Sequence, residues 1–300
     1  MTISWALISG ASTGIGRATA LELAAKGFHV LAGVRSKEAA AAFTQSAGRV
    51  HPILLDVTNQ DSIAAALHSA ARLVASSGLR VLMNNAGIVV PGPLEHVSAA
   101  DWRRQFDVNF FGMIDLTRAA LPLLRQGVAA HGPFVPRLLF TSSIGGRVSQ
   151  PVLAPYTTSK FATTALGAAL RIELRRQGIG VTVLEPGAVA TNMWAKGDAS
   201  SAEFHPTHPA RQLYGPEIDG LGAASKRFAS KAISADQAAR QIVRGILAKK
   251  PPARLLVGAA AKIMATLRAC LPLSWFDELV KRELGIARLP VDVAPSAQPS

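Results

Sequence analysis

A chain of 300 residues, 49% of them hydrophobic and 17% charged, can bury a large core, which excludes disorder for most of its length. The 32 Lys and Arg outnumber the 19 Asp and Glu for a formal charge of +13, but they are scattered and accompanied by only two tyrosines and four tryptophans, so no nucleic-acid partner is expected; anionic substrates, cofactor phosphates or an acidic membrane surface account for the charge equally well. The single cysteine, Cys270, excludes an internal disulfide and a thiolate zinc cluster, and with no export signal before the first apolar run a cytoplasmic setting is expected.

From residue 3 to about 185, short β-branched or leucine-rich runs alternate with longer stretches of helical period, the pattern of βαβ units around a parallel sheet. Strands are predicted at Ile3–Ser9, His29–Val34, Val50–Leu55, Val81–Asn84, Arg137–Thr141 and Val181–Leu184, with helices opening near Ile15, Ser36, Asn59, Ala100 and Tyr156. After Thr191 a stretch rich in Gly, Ser, Pro and His, ending near Ala229, reads as a long loop with a short helix or two, a lid candidate spanning 192–230. Ser234 and Gln237 announce an N-capped helix to Leu247, Arg254–Val257 resembles a last strand, and Ala260 to Gly285 reads as helix interrupted at Pro272. The expected fold is α/β, a doubly wound Rossmann sheet of about seven parallel strands flanked by helices, with ligands at the carboxyl ends of the strands.

Strand one runs into Ser9-Gly10-Ala11-Ser12-Thr13-Gly14-Ile15-Gly16, glycines spaced GxxxGxG at a helix start. Glycine permits tight turns and close backbone approach, and the helix N-terminus offers free N–H groups to a pyrophosphate; the alternative is an ordinary strand–helix turn. Folds that bind NAD usually place an acid about 20 residues beyond the glycines to hold the ribose 2′-hydroxyl. Here strand two ends Gly33-Val34-Arg35-Ser36, with a guanidinium in place of the acid, so NADP(H) is expected in preference to NAD(H), Ser12 and Thr13 adding donors. A solvated surface arginine is the competing reading. Asp56, at the end of strand three and followed by Val57, is placed to accept from the adenine amine or to cap the next turn.

Gly10-x-x-x-Gly14-x-Gly16, Asn84-Asn85-Ala86-Gly87, Ser143 and Tyr156-x-x-x-Lys160 stand in the order and approximate spacing of the short-chain dehydrogenase/reductase family, which the chain resembles across residues 3 to 191. A carbonyl that accepts hydride needs a proton, and an unperturbed phenol, with a pKa near ~10, is a sluggish base for the reverse reaction. Four residues along a helix puts Lys160 on the face of Tyr156, where an ammonium is expected to lower the phenol's pKa. The resemblance implies that Lys160 also holds the nicotinamide ribose, that Ser143 hydrogen-bonds the substrate oxygen, with its neighbour Ser142 as competitor, and that Asn109 holds a water leading to the lysine. It further implies cofactor contacts from Asn85, Ala86 and Gly87, and from Pro186, Gly187, Val189 and Thr191 around the carboxamide.

Ser-Lys-Phe-Ala at 159–162, Glu-Pro-Gly at 185–187 and the extended C-terminus look most like the hydroxysteroid and retinol dehydrogenase branch, which implies an apolar ketone, aldehyde or alcohol as substrate, with Met193, Trp194 and Phe204 as candidate pocket residues. The alternatives are a 3-oxoacyl carrier-protein reductase and a non-catalytic NADP(H)-binding sensor. Residues 1–258 are expected to form one NADP-binding catalytic domain, 259–287 a helical extension and 288–300 a disordered tail. Leu255–Phe276 is broken by Lys262, Arg268 and Pro272 and does not cross a bilayer cheaply, though Ala260–Leu284 is a candidate for peripheral membrane contact. Phe161, Leu166 and Leu170 form either core or a subunit contact, and the resemblance implies a homodimer or homotetramer. No metal site is expected, because His205-x-x-His208 lacks cysteine or carboxylate support.

Overall fold

The computed structural model describes residues 3–41, 43, 48–191 and 204–286. Seven strands, β1 (Trp5–Ile8), β2 (His29–Val34), β3 (Val50–Leu54), β4 (Val81–Asn84), β5 (Arg137–Thr141), β6 (Gly180–Pro186) and β9 (Arg254–Val257), form one sheet in the order β3-β2-β1-β4-β5-β6-β9. All six pairings are parallel. Strands β1, β4, β5 and β6 are buried throughout, which is why they read as continuous apolar runs rather than alternating ones. Pro52 sits in β3, an edge strand, where a missing ladder donor is tolerated. A two-residue pair that the sequence did not announce, β7 (Val189–Ala190) with β8 (Ile233–Ser234), pins the segment after β6.

Helices α1 (Gly14–Ala25), α2 (Lys37–Ala41), α3 (Gln60–Val74), α4 (Ala99–Phe106), α5 (Gly112–His131) and α6 (Ala154–Glu173) supply the crossovers. Asn59 caps α3 by accepting from Ser62 N–H at 2.8 Å, and Ser98 caps α4 through Asp101 N–H at 3.0 Å. The two sheet faces bury separate cores. Leu7, Leu82, Leu116, Leu138 and Phe140 belong to one, and Ile8, Val30, Met83, Leu139 and Ile242 to the other.

The region read as a long loop is corrected by a 20-residue helix, α7 (Arg211–Ser230), which runs through Pro216 and Gly215, Gly220 and Gly222. Each helical glycine costs about 1 kcal/mol in propensity, but Ile218, Leu221 and Ala224 bury against Val152, Leu153, Phe204 and Leu284, and a side chain at Gly220 would strike the Leu284 carbonyl. Tertiary packing outweighs the local signal. After it come α8 (Ala235–Leu247), opened by the expected capping box of Ser234 and Gln237, then α9 (Ala259–Cys270) and α10 (Leu273–Glu283), separated at Pro272. Residues 192–203, with Met193 and Trp194, and the tail from 287 onward lie outside the described residues. Among the described residues no helix is long and apolar enough to cross a membrane, while Ile263, Leu273 and Trp275 are exposed on α9 and α10.

Candidate active site

The sheet order reverses direction between β1 and β4, and the loops leaving these two strands flank the resulting crevice. Gly10 adopts φ +63° and faces Ala86 so closely that a Cβ would lie 2.8 Å from the Ala86 Cα; a Cβ on Gly16 would meet Asn85 Nδ2 and the Gly10 carbonyl. Two of the three loop glycines are thus required by contact between the two loops. The third, Gly14 (φ +57°), opens α1 beside the Thr191 side chain. Thr13 sits at the N-cap without a side-chain capping bond, Ser12 is half-buried and Ile15 packs on the core below.

Arg35 is exposed at the end of β2, and its charge reaches Asp56 across the sheet edge. Burial pushes the Asp56 carboxyl up, but hydrogen bonds from Thr58 N–H (2.9 Å) and Thr58 Oγ1 (2.7 Å), together with Arg35, hold it below the usual carboxylate range. Val57 is buried under Gly112, where a Cβ would strike it.

Tyr156 and Lys160 project from the first turns of α6, with Nζ 5.7 Å from the centre of the phenol ring. The ammonium donates to the Thr141 carbonyl at 2.8 Å, its sole protein acceptor among the described residues, and burial lowers its pKa from 10.5 to about 8. Burial raises the Tyr156 phenol above its ordinary value, with a hydrogen bond to Ser143 acting in the opposite sense. This corrects the expectation of a lowered phenol: desolvation dominates here. Gly87 faces the same amine, 3.7 Å from a Cβ placed on it, and Asn109 Oδ1 lies 3.3 Å from that position.

Asn109 lies in a π-helical turn, Asp107–Phe111, between α4 and α5, a distortion that rotates its amide into the interior. Its Oδ1 accepts from Ile88 N–H at 2.8 Å while Nδ2 donates to Ile88 O at 3.0 Å and Ser159 Oγ at 3.2 Å. The amide therefore ties the β4–α4 connection to α6, and the Asn109 backbone carbonyl accepts from Thr163 Oγ1 of the same helix at 3.4 Å.

Ser142 and Ser143 point in different directions. Ser142 is buried, donating to the Lys160 carbonyl at 2.9 Å with Thr164 Oγ1 at 2.8 Å, whereas Ser143 accepts from Gly145 N–H at 3.0 Å and lines a cleft with Tyr156. That cleft encloses about 1070 Å³ counted to its open mouth. Ser143, Gly145 and Tyr156 line it together with Val89, Val148 and Leu153, Gly187 and Ala188, Leu221 and Phe228 of α7, and Ala260, Ala261 and Met264 of α9. Among the described residues no charged side chain lines it. The C-terminal extension is thus a wall of the cleft.

The short chain dehydrogenase family model matches residues 4–201. The chain belongs to the short-chain dehydrogenase/reductase family. It is 30% identical over 281 residues to the NADPH-dependent 3-dehydrocapnine reductase of Ornithobacterium rhinotracheale, covering 93% of this chain and 97% of the relative. It is also 30% identical over 296 residues to human 17-beta-hydroxysteroid dehydrogenase type 2, covering 93% and 73%. Among solved structures, a short-chain dehydrogenase from Streptomyces avermitilis superposes with TM-score 0.74 at 26% identity, covering 96% of this chain and 99% of that one.

For a dinucleotide of the kind this oxidoreductase family uses, the donor set fits. The first turn of α1 has N–H groups that Thr13 does not cap and no acidic side chain, and Lys160 carries ammonium donors beyond the one given to Thr141. Gly187 is held by Val257 O at 3.0 Å and Val189 is pinned by β8, while Thr191 reaches Gly14, so the segment after β6 meets the glycine loop.

Ser9 is a site residue that sequence reasoning missed: buried, it accepts from both Asn85 N–H (3.0 Å) and Ala86 N–H (3.1 Å), tying the glycine loop to the Asn-Ala-Gly turn. A serine closing a strand carries no periodic signal, so only its position beside Gly10 hinted at this. Phe204 is buried in the cluster under α7 and does not line the cleft, which corrects its assignment as a pocket residue. His205 and His208 pack as rings 5.9 Å apart, and no group of three or more metal-ligating side chains occurs among the described residues.

Proposed function

We propose that this oxidoreductase uses NADPH to reduce apolar ketones or aldehydes, with Tyr156 as proton donor. The observation that carries the reading is the placement of the Ser143 and Tyr156 hydroxyls together in a cleft that no charged side chain lines among the described residues. A bound nicotinamide supplies the hydride that adds to the carbonyl carbon. Ser143 orients the carbonyl oxygen by hydrogen bonding, and Tyr156 Oη releases its proton to that oxygen as negative charge develops there. An ordinary phenol is already protonated at neutral pH, and burial moves Tyr156 further in that direction, so the group is available as a proton donor. Lys160, with a pKa of about 8, is mostly an ammonium at neutral pH and stabilises the phenolate left behind. The names of two relatives, a 3-dehydrocapnine reductase and a 17-beta-hydroxysteroid dehydrogenase, agree with carbonyl–alcohol chemistry. A 3-oxoacyl thioester on a carrier protein is the alternative substrate, which a substrate screen separates from a free apolar carbonyl compound.

The experiment is a screen of apolar ketones, aldehydes, steroids, retinoids and a 3-oxoacyl thioester, followed by the loss of nicotinamide absorbance. Turnover confined to the thioester would replace this reading with the carrier-protein one. Cofactor choice rests on Arg35, an exposed guanidinium at the end of β2 with no acid in its place. A charge-assisted phosphate contact worth about 1.5–3 kcal/mol predicts that Arg35→Ala weakens NADPH binding by roughly tenfold to a hundredfold and NADH binding little. Equal losses for the two cofactors, measured by fluorescence titration, would remove Arg35 from the reading.

A further inference from the structure

We propose that Glu185 is a positioning residue that fixes the Ser143 turn through Arg147, an inference that rests on the reading of Ser143 as the group that holds the substrate oxygen. Glu185, next to last in β6, has its side chain at 0% exposure, and both Nε and Nη2 of Arg147 reach its Oε2, at 2.9 and 2.8 Å. Arg254 of β9 approaches the other oxygen, Oε1, with Nη1 at 3.6 Å. A carboxylate this deep persists only when paired, yet neither Glu185 nor Arg147 lines the substrate cleft, so the pair does not serve substrate binding by contact.

What the pair holds is the turn itself. The backbone from Ser143 closes a single 3-10 turn, Ile144–Gly146, with Arg147 N–H bonded to Ile144 O at 3.0 Å and Val148 N–H to the same carbonyl at 3.1 Å. At its start, Ser142 N–H is anchored to Leu184 O of β6 at 2.9 Å. Along its back, Gly146 lies so close to α6 that a Cβ would be 2.7 Å from Lys160 O and from Thr164 Oγ1. At its end Arg147 reaches over to Glu185, the residue after the strand position that anchors the start. The turn is therefore clamped between α6 and the end of β6. Releasing the Glu185 end leaves Ser143 free to shift relative to Tyr156, and a displacement of about 1 Å in a positioned group costs up to roughly a hundredfold in rate.

The test uses steady-state kinetics, NADPH titration and thermal melting on the full chain. Glu185→Gln is expected to lower kcat about tenfold to a hundredfold, with KM and NADPH affinity changing little. Action through Ser143 further predicts that adding Glu185→Gln to Ser143→Ala costs almost nothing more, because the group being positioned is already gone. The double replacement Arg147→Met with Glu185→Met restores the melting temperature, as apolar pairs of similar volume do, while kcat stays low. Full additivity with Ser143→Ala, or a kcat that recovers together with the melting temperature in the Met pair, would show a purely structural ion pair. Wild-type kcat in Glu185→Gln would overturn the proposal outright. Should Glu185→Gln not fold, the Met pair with and without Ser143→Ala decides alone. Full activity in Ser143→Ala would instead refute the reading of Ser143 on which the inference rests.

Discussion

Lys160→Met is expected to abolish turnover and at the same time to raise the melting temperature of the cofactor-free protein at neutral pH. Burial lowers the lysine's pKa from 10.5 to about 8, and with about 1.4 kcal/mol per tenfold change in proton affinity this makes the charged side chain a burden of about 3 kcal/mol in the folded state. The hydrogen bond to Thr141 O, worth about 1 kcal/mol, offsets part of it, leaving a gain of about 2 kcal/mol for methionine. The sign with pH follows. Below pH 8 both folded and unfolded chains hold the proton and the full burden applies. Between 8 and 10.5 the folded chain has released the proton that the unfolded chain still binds, so wild-type stability rises with pH and the advantage of methionine shrinks. Thermal melts of both proteins from pH 7 to 10.5 check this. A gap that stays constant across the window would show that the ammonium is not desolvated. Loss of activity has a separate cause, because the Met variant has no charge to stabilise the phenolate of Tyr156.

The second large effect is in Tyr156→Phe. Removing one oxygen leaves the ring and its contact with Lys160 in place, so the fold and NADPH affinity are expected to persist. A positioned acid contributes about two to four orders of magnitude, so kcat falls by that factor, about 3–5 kcal/mol in the barrier. Steady-state assays beside NADPH titrations separate the two quantities. Equal loss in both would mean that the hydroxyl serves binding and not proton transfer.

Much of the framework was legible from the chain alone because its signals are local. Buried parallel strands announce themselves as apolar runs, Ser234 and Gln237 form the capping box their spacing predicts, and the family belonging follows from motifs read at residues 10–16, 84–87, 143 and 156–160. What escaped is what depends on contacts far apart in sequence. Pro216 and the three glycines of α7 argued for loop, and only burial of the helix against Leu153 and Leu284 overrides them. Gly10 and Gly16 read as phosphate-loop residues, yet the space they leave is occupied by Ala86 and Asn85. The direction of the Tyr156 shift depends on how deeply α6 is covered, which spacing on a helix does not report. Glu185 stood in a recognisable Glu-Pro-Gly triplet, but its partner Arg147 lies 38 positions away and has no periodic relation to it.

Rapid mixing of the enzyme–NADPH complex with an apolar ketone, following nicotinamide absorbance and alcohol formed in a single turnover, tests the proton-donor assignment most directly. The account predicts one alcohol per NADPH oxidised by the wild type, and a Tyr156→Phe complex that binds the same NADPH but transfers hydride about two to four orders of magnitude more slowly. Hydride transfer at the wild-type rate from the fully loaded Tyr156→Phe complex would contradict it.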